Sequence, residues 1–214
     1  MKHTIIVLLL FVCAFNAYGQ NYLLDSTRSG LHLAGQYGSS QGSTIGGGVL
    51  GYTFDGTYTL SLAAGKENNR DLKMTAFSLK PHMSFMILKQ GVHKTPISAA
   101  FGLSFQRSWF QAGQKAKVES IVFDCGFFRK MRLSRTTSLI PGVLGGLVAW
   151  SSFTNQYMDK VNQTYLYGFQ LSLLAGPFHL TPMLQYTTKE NLRTFNVVAG
   201  FIFPRKQETV GSRL

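Results

Sequence analysis

The sequence predicts an all-β chain: a closed, antiparallel, up-and-down transmembrane β-barrel of about 10 strands, with about 8 as the alternative count. Three observations point there. Runs of alternating residues recur along the chain, as in Phe77, Leu79, Pro81, Met83 and Phe85 against Ser78, Lys80, His82 and Ser84. A strand turns successive side chains to opposite faces, so each run has one apolar face and one small or polar face. A removable leader precedes the runs. Charged residues make up only 14% of the chain, against about 25% in soluble domains.

The leader comes first. Met1, Lys2 and His3 give a basic start, residues 5–15 an apolar core, and Ala17 and Gly19 the small residues of a cleavage site before Gln20. The apolar core is shorter than the roughly 20 residues of a transmembrane helix. Phe11 and Val12 precede Cys13 where a lipoprotein signal requires small residues, so lipidation there is set aside. The chain therefore divides into a signal peptide at 1–19, a barrel at 20–203 and a polar, basic periplasmic tail at 204–214. Loss of the leader leaves Cys125 as the single cysteine, which excludes a disulfide scaffold. Cys125 shares the apolar parity with Phe123 and Phe127 and reads as a small filler.

The strands are expected at 29–39, 43–54, 57–66, 73–88, 95–108, 117–131, 137–152, 163–174, 177–187 and 193–203. The first sets Leu31, Leu33 and Tyr37 against His32, Ala34 and Gln36. Asp55-Gly56 then makes a two-residue hairpin, since both residues tolerate positive φ. The fifth strand carries Ile97, Ala99, Phe101, Leu103 and Phe105; the eighth Tyr165, Tyr167, Phe169, Leu171 and Leu173; the last Phe195, Val197, Ala199, Phe201 and Phe203. The seventh is apolar on both parities. Short connections at 55–56, 89–94, 132–136 and 175–176 are expected at one end. Longer, more polar ones at 67–72, 109–116 and 153–162 are expected at the other, with 40–42 and 188–192. Pro81, Pro141 and Pro182 fall inside strands, where proline cannot donate to the ladder, so each must mark a bulge or a local break.

The apolar parity faces lipid in a membrane barrel and a ligand in a soluble one. The low charge, the glycine-rich second parity and aromatic residues gathered near strand ends favour lipid. The aromatics expected in one girdle are Tyr37, Trp109, Phe110, Trp150, Phe153, Tyr165 and Tyr186. The other girdle would hold Phe54, Tyr58, Phe85, Phe178 and Phe203. With the signal ending at Gly19-Gln20, the repeated Gly-aromatic strands and the closing run 197–203, the chain resembles the small outer-membrane β-barrel proteins of Bacteroidota, within the wider OmpA- and OmpX-type group. The resemblance implies an outer-membrane location in a Gram-negative envelope, reached by export, and carries no functional residue across. Such barrels often end at the final aromatic, whereas this chain continues past Phe203.

The net charge of +12 is read as membrane-surface charge and not as nucleic-acid binding, because its lysines and arginines gather in turns and ends. The expected partners are outer-membrane lipid and lipopolysaccharide, together with other envelope proteins. Lumen-lining candidates on the polar parity are Lys80, His82, Asp124, His179 and Gln185, with His32, Gln106 and Lys130 beside them. Lys80 and Asp124 stand out because a buried charge requires a partner. No catalytic residue is assigned: the rim acids Glu67, Asp71, Glu119, Asp159 and Glu190 have no neighbouring histidine. Ser84 and His82 lie about 7 Å apart along one strand face. No metal ligand set and no cofactor motif is found; Gly46-Gly47-Gly48 lacks the Lys-Ser/Thr of a phosphate loop. The expectation is a non-enzymatic barrel with a structural or surface-interaction role, its contacts at 109–116 and 153–162. The alternatives are a small channel for polar solutes, an accessory barrel of a secretion or conjugation system, a lipid-directed enzyme and a soluble ligand-binding barrel.

Overall fold

A computed structural model describes residues 28–205 other than 41, 71–73, 113, 155–163 and 189–191. The signal peptide, the tail beyond 205 and the 155–163 stretch lie outside the described residues. The strands are β1 (Gly30–Ser40), β2 (Ser43–Phe54), β3 (Tyr58–Asn69), β4 (Met74–Leu88), β5 (Ser98–Ala112), β6 (Gln114–Phe128), the two-residue β7 (Met131–Arg132), β8 (Thr137–Thr154), β9 (Thr164–Ala175), β10 (Phe178–Thr187) and β11 (Leu192–Pro204). Every neighbouring pair is antiparallel, and the sheet closes twice over. β1 pairs with β11 from Gly30↔Pro204 to Ser40↔Thr194, and β6 pairs with β8 from Lys117↔Thr154 to Phe128↔Gly142. Setting aside the short β7, the long strands form a closed ten-stranded barrel. Closure leaves no strand edge whose N–H and C=O groups would face lipid unpaired.

The apolar parity faces out. Leu33 and Phe169 are 53% and 58% exposed, while their neighbours His32, Ala34 and Gln170 are buried. Outward aromatics pair across strands near both ends. Phe77 stacks on Trp109 at 5.9 Å and Tyr167 on Tyr186 at 5.3 Å at one end. Tyr58 meets Phe85 at 6.5 Å, and Phe178 meets Phe201 at 5.7 Å, toward the other. Phe110 departs from expectation: it faces inward and packs with Ala76, Val118 and Val122.

Two prolines break the ladder without shifting it. Pro81 keeps its pairing with Leu62 on β3, while on the β5 side pairing passes from Leu79↔Arg107 to His82↔Ser104 in one register. Pro182 likewise pairs with Val197, and the β9 side passes from Leu180↔Leu173 to Met183↔Gln170. Pro141 sits just past the last β6–β8 pair, where its carbonyl accepts the Arg129 N–H at 3.1 Å. The bulges fall elsewhere. Ile87 is the extra residue between Met86↔Ala100 and Leu88↔Ala99, and Ala149 the extra one between Val122↔Val148 and Ile121↔Trp150. A one-residue insertion swaps the faces. The inward residues of β8 therefore run Ile140, Leu144, Val148 and then Ser151. Ile140, Leu144 and Val148, ahead of the bulge, are inward and apolar, which is why that strand reads as apolar on both parities.

The connections do not sort by length as expected. The end carrying both described termini has tight turns at Asp55-Gly56 and Gly176-Pro177, with positive φ at Asp55 (47°), Gly56 (57°) and Gly176 (58°). It also has longer links, at 89–97 with a 3-10 turn (Val92–Lys94) and at 129–136. At the opposite end, 109–116 is not a loop. β5 and β6 extend until Ala112 pairs with Gln114. β3 likewise runs on to Asn69, taking Glu67 into the sheet.

An outward position at mid-strand should reject charge. Phe169→Arg is expected to lower the unfolding free energy in lipid vesicles by about 2–4 kcal/mol, read from denaturant titration of the reconstituted protein. An unchanged midpoint would mean that this face does not contact lipid.

Candidate functional site

The polar parity converges on the barrel axis, so the interior is the site the strands build. Lys80, His82, Asp124, His179 and Gln185 all point inward, and none is more than 7% exposed. They sit on β4, β6 and β10, with His32 of β1 and Gln106 of β5 on the same inner surface. Lys130 lies beyond the end of β6, half-buried at the terminal end and outside the interior.

At mid-barrel Asp124 is joined to the His82 ring, with Nε2 to Oδ2 at 3.2 Å. The sequence singled out Lys80 and Asp124; the structure brings the His82 ring to the Asp124 carboxylate. Gly102 lies between them on β5, opposite both Ser84 and Asp124. A Cβ there would collide with Asp124 Oδ1 and His82 Nε2, so only glycine lets the pair cross the strand. Other inward groups bond in short relays. His32 Nε2 meets Thr53 Oγ1 at 2.7 Å, and Thr53 meets Thr59 Oγ1 at 2.7 Å. Ser78 and Ser108 hydroxyls are 2.6 Å apart, Thr181 donates to Ser172 at 2.9 Å, and Asn196 Nδ2 donates to Gln185 at 3.4 Å. Such bonds offset the cost of taking polar groups out of water.

Two apolar clusters bound this polar layer. Toward the terminal end, Met86, Ala100, Phe128, Ile140, Leu144, Met183 and Ile202 pack together, with Leu174 against them. They lie on β4, β5, β6, β8, β10 and β11, an arc around much of the wall, and each is buried. The Phe128 ring fills the space left by Gly126 and Gly142. Toward the other end Ala76, Phe110, Val118, Val122, Val148 and Leu166 pack around one side of the wall. Strand periodicity does not reveal these clusters, because they sit on the parity that is polar elsewhere.

The rim acids do not assemble. Glu67 is buried inside β3 near Ser43, whose hydroxyl accepts from Asn69 at 2.8 Å. Glu119 is held outside the barrel by Arg107 (Nη2 at 2.5 Å) and Lys117 (Nζ at 2.8 Å). Arg107 also lies 5.8 Å from the Phe105 ring and 6.0 Å from Trp109. Asp71, Asp159 and Glu190 are outside the described residues. The Ser84 hydroxyl makes no hydrogen bond among the described residues. No three His, Cys, Asp or Glu side chains among them converge as a metal site. Cys125 is exposed on the outer face.

No family model and no curated protein matches the chain. Among solved structures, it is similar to the β domain of the Bordetella autotransporter Brka. The two share 10% identity and a TM-score of 0.51 over 84% of this chain and 99% of that one. The fold is that of an outer-membrane β-barrel. The translocator domain of the autotransporter NalP from Neisseria meningitidis overlays at TM-score 0.42 and 10% identity, covering 95% of this chain and 94% of that one. An outer-membrane channel from Pseudomonas putida F1 gives 0.42 and 11%, over 88% and 98%. At these identities the likeness is one of fold.

Displacing the central pair should destabilise the barrel through two buried polar groups at once. Gly102→Ala is expected to cost about 1–3 kcal/mol. The same change should cost less, by at least about 0.5 kcal/mol, in an Asp124→Ala background. Additive losses in the four-protein cycle would show that Gly102 does not make room for this pair.

Proposed function

We propose that this chain is an integral outer-membrane β-barrel with a structural or surface-interaction role and no catalytic activity. In this reading residues 1–19 direct its export, and the end carrying the termini faces the periplasm. It is one of the small OmpA- and OmpX-type barrels, of the kind common in Bacteroidota. Its outer face meets membrane lipid, and its distal rim meets lipopolysaccharide and other envelope proteins.

The observation that carries this reading is the filled interior. A conducting lumen needs a continuous wet path, yet the inward side chains of the polar layer are buried, and so are those of the apolar cluster on its terminal side. Ten strands enclose a space that side chains can largely fill. The same enclosure argues against lipid-directed catalysis at His82 and Asp124, since both are buried. It also argues against the channel reading, in which Lys80 and Asp124 would line a pathway for polar solutes. At the distal rim the ion-paired cluster of Arg107, Lys117 and Glu119 stands beside Trp109 on the outer face. Its two cations against one carboxylate suit contact with lipid-borne phosphate.

Purified protein in planar bilayers is expected to give no steady ohmic conductance. Conductance that changes with Lys80→Ala or Asp124→Ala would overturn the structural reading in favour of a channel. Turnover of a phospholipid or lipopolysaccharide substrate, lost on His82→Ala, would overturn the non-catalytic assignment.

A further inference from the structure

At the terminal end the barrel mouth holds a cavity of about 350 Å³, within the roughly 300–1,000 Å³ of small-ligand pockets. Its polar wall carries Arg28, Lys130, Arg132 and Arg135, with Thr136 and Ser138 beside them. Its floor is apolar, from Leu174 and Ile202. Both belong to, or pack on, the apolar cluster beneath. The cavity is a cup over buried apolar side chains.

Four cations around one concavity repel one another, and no Asp or Glu lines it among the described residues. Arg28, Arg132 and Arg135 make no ion pair among those residues. Among the described residues Asp55 is the carboxylate at this end; it is engaged by the Ser29 hydroxyl (3.2 Å) and lies outside the cup. The three guanidinium groups repel one another until an anion enters.

The walls are held in place by bonds that do not use the guanidinium groups. The Lys130 backbone is clamped on both sides by Gln90, whose Oε1 accepts the Lys130 N–H at 2.7 Å and whose Nε2 donates to the Lys130 carbonyl at 3.0 Å. The turn bearing Arg132 and Arg135 is tied by Ser134 Oγ, which accepts from the Thr136 and Thr137 N–H groups at 3.2 and 3.1 Å. Gly176 N–H donates to the Thr136 carbonyl at 2.8 Å, joining two rims of the cup. The Ser29 carbonyl accepts the Arg205 N–H at 2.8 Å, fixing the segment that carries Arg28. The cup is pre-formed, and guanidinium groups match the tetrahedral oxygens of a phosphate in forked pairs.

We propose that this cup binds a phosphate group bearing net negative charge, either as a free phosphate or as the headgroup of an anionic phospholipid. The inference stands on the cavity and its charges and does not depend on whether the barrel conducts.

The test uses full-length protein in a phosphate-free neutral detergent, with Arg132→Gln/Arg135→Gln as the cup variant. Arg129→Gln, at the same end but outside the cup, controls for general charge. Inorganic phosphate is titrated by calorimetry. Retention of phosphatidylglycerol against phosphatidylcholine is read by native mass spectrometry. Saturable phosphate binding, weakened 10-fold or more in the cup variant and unchanged in Arg129→Gln, supports a soluble phosphate. Selective retention of phosphatidylglycerol with the same variant pattern, and no phosphate heat, supports a lipid headgroup. Absence of both, or equal losses in the cup variant and Arg129→Gln, overturns the proposal. Heat-modifiable mobility of each variant confirms that a lost signal is not a lost barrel.

Discussion

Backbone hydrogen bonding in a medium without water is the constraint from which the rest follows. Each N–H and C=O inside a lipid layer needs a protein partner, and a sheet meets that demand only by closing. Here closure comes through β1 on β11 and β6 on β8. Proline, which cannot donate, is tolerated because each one loses pairing on one side and keeps it on the other, as at Pro81 and Pro182. The extra residues are confined to Ile87 and Ala149, near strand ends or where β8 must reverse its faces.

Closure also inverts the usual distribution of polarity. The outer wall presents Leu, Phe and Tyr, and the interior must accommodate what the other parity supplies. Polar groups there are bonded in short relays, between neighbouring strands from His32 to Thr53 to Thr59 and across β5 from His82 to Asp124. Glycine at Gly102, Gly126 and Gly142 leaves room for larger inward groups on adjacent strands. A ten-stranded lumen is narrow enough for side chains largely to fill it, and the inward residues here are buried. Charge that the belt cannot hold collects at the ends. Among the described residues the terminal end gathers Arg28, Lys89, Lys94, Arg129, Lys130, Arg132, Arg135 and Arg205 against Asp55.

Much of the fold was legible because a strand has a period of two and the membrane imposes one apolar face. The alternation in 77–85 and 165–173 is enough to place those strands and turn their faces outward. The two-residue turn at Asp55-Gly56 follows from the positive φ both residues accept. Length did not identify the loops. A polar stretch such as 109–116 reads the same whether it leaves the sheet or extends it, and its pairing partners lie elsewhere in the chain. Phe110 and Glu67 were misplaced for that reason: one joined an inner cluster, the other entered β3 facing inward.

The interior shows the division most clearly. The sequence by itself determined which residues share the inner parity, because side-chain direction along a strand is a local property of the backbone. It placed Lys80, His82, Asp124, His179 and Gln185 on one face without saying which would touch. Only the tertiary structure decided that Asp124 takes His82, that Gly102 gives them room and that Phe128, Ile140 and Ile202 pack in one cluster. It also decided that Arg28 meets the arginines of a turn some hundred residues away. These outcomes depend on register and closure, which bring together residues remote in sequence and leave no periodic mark along the chain.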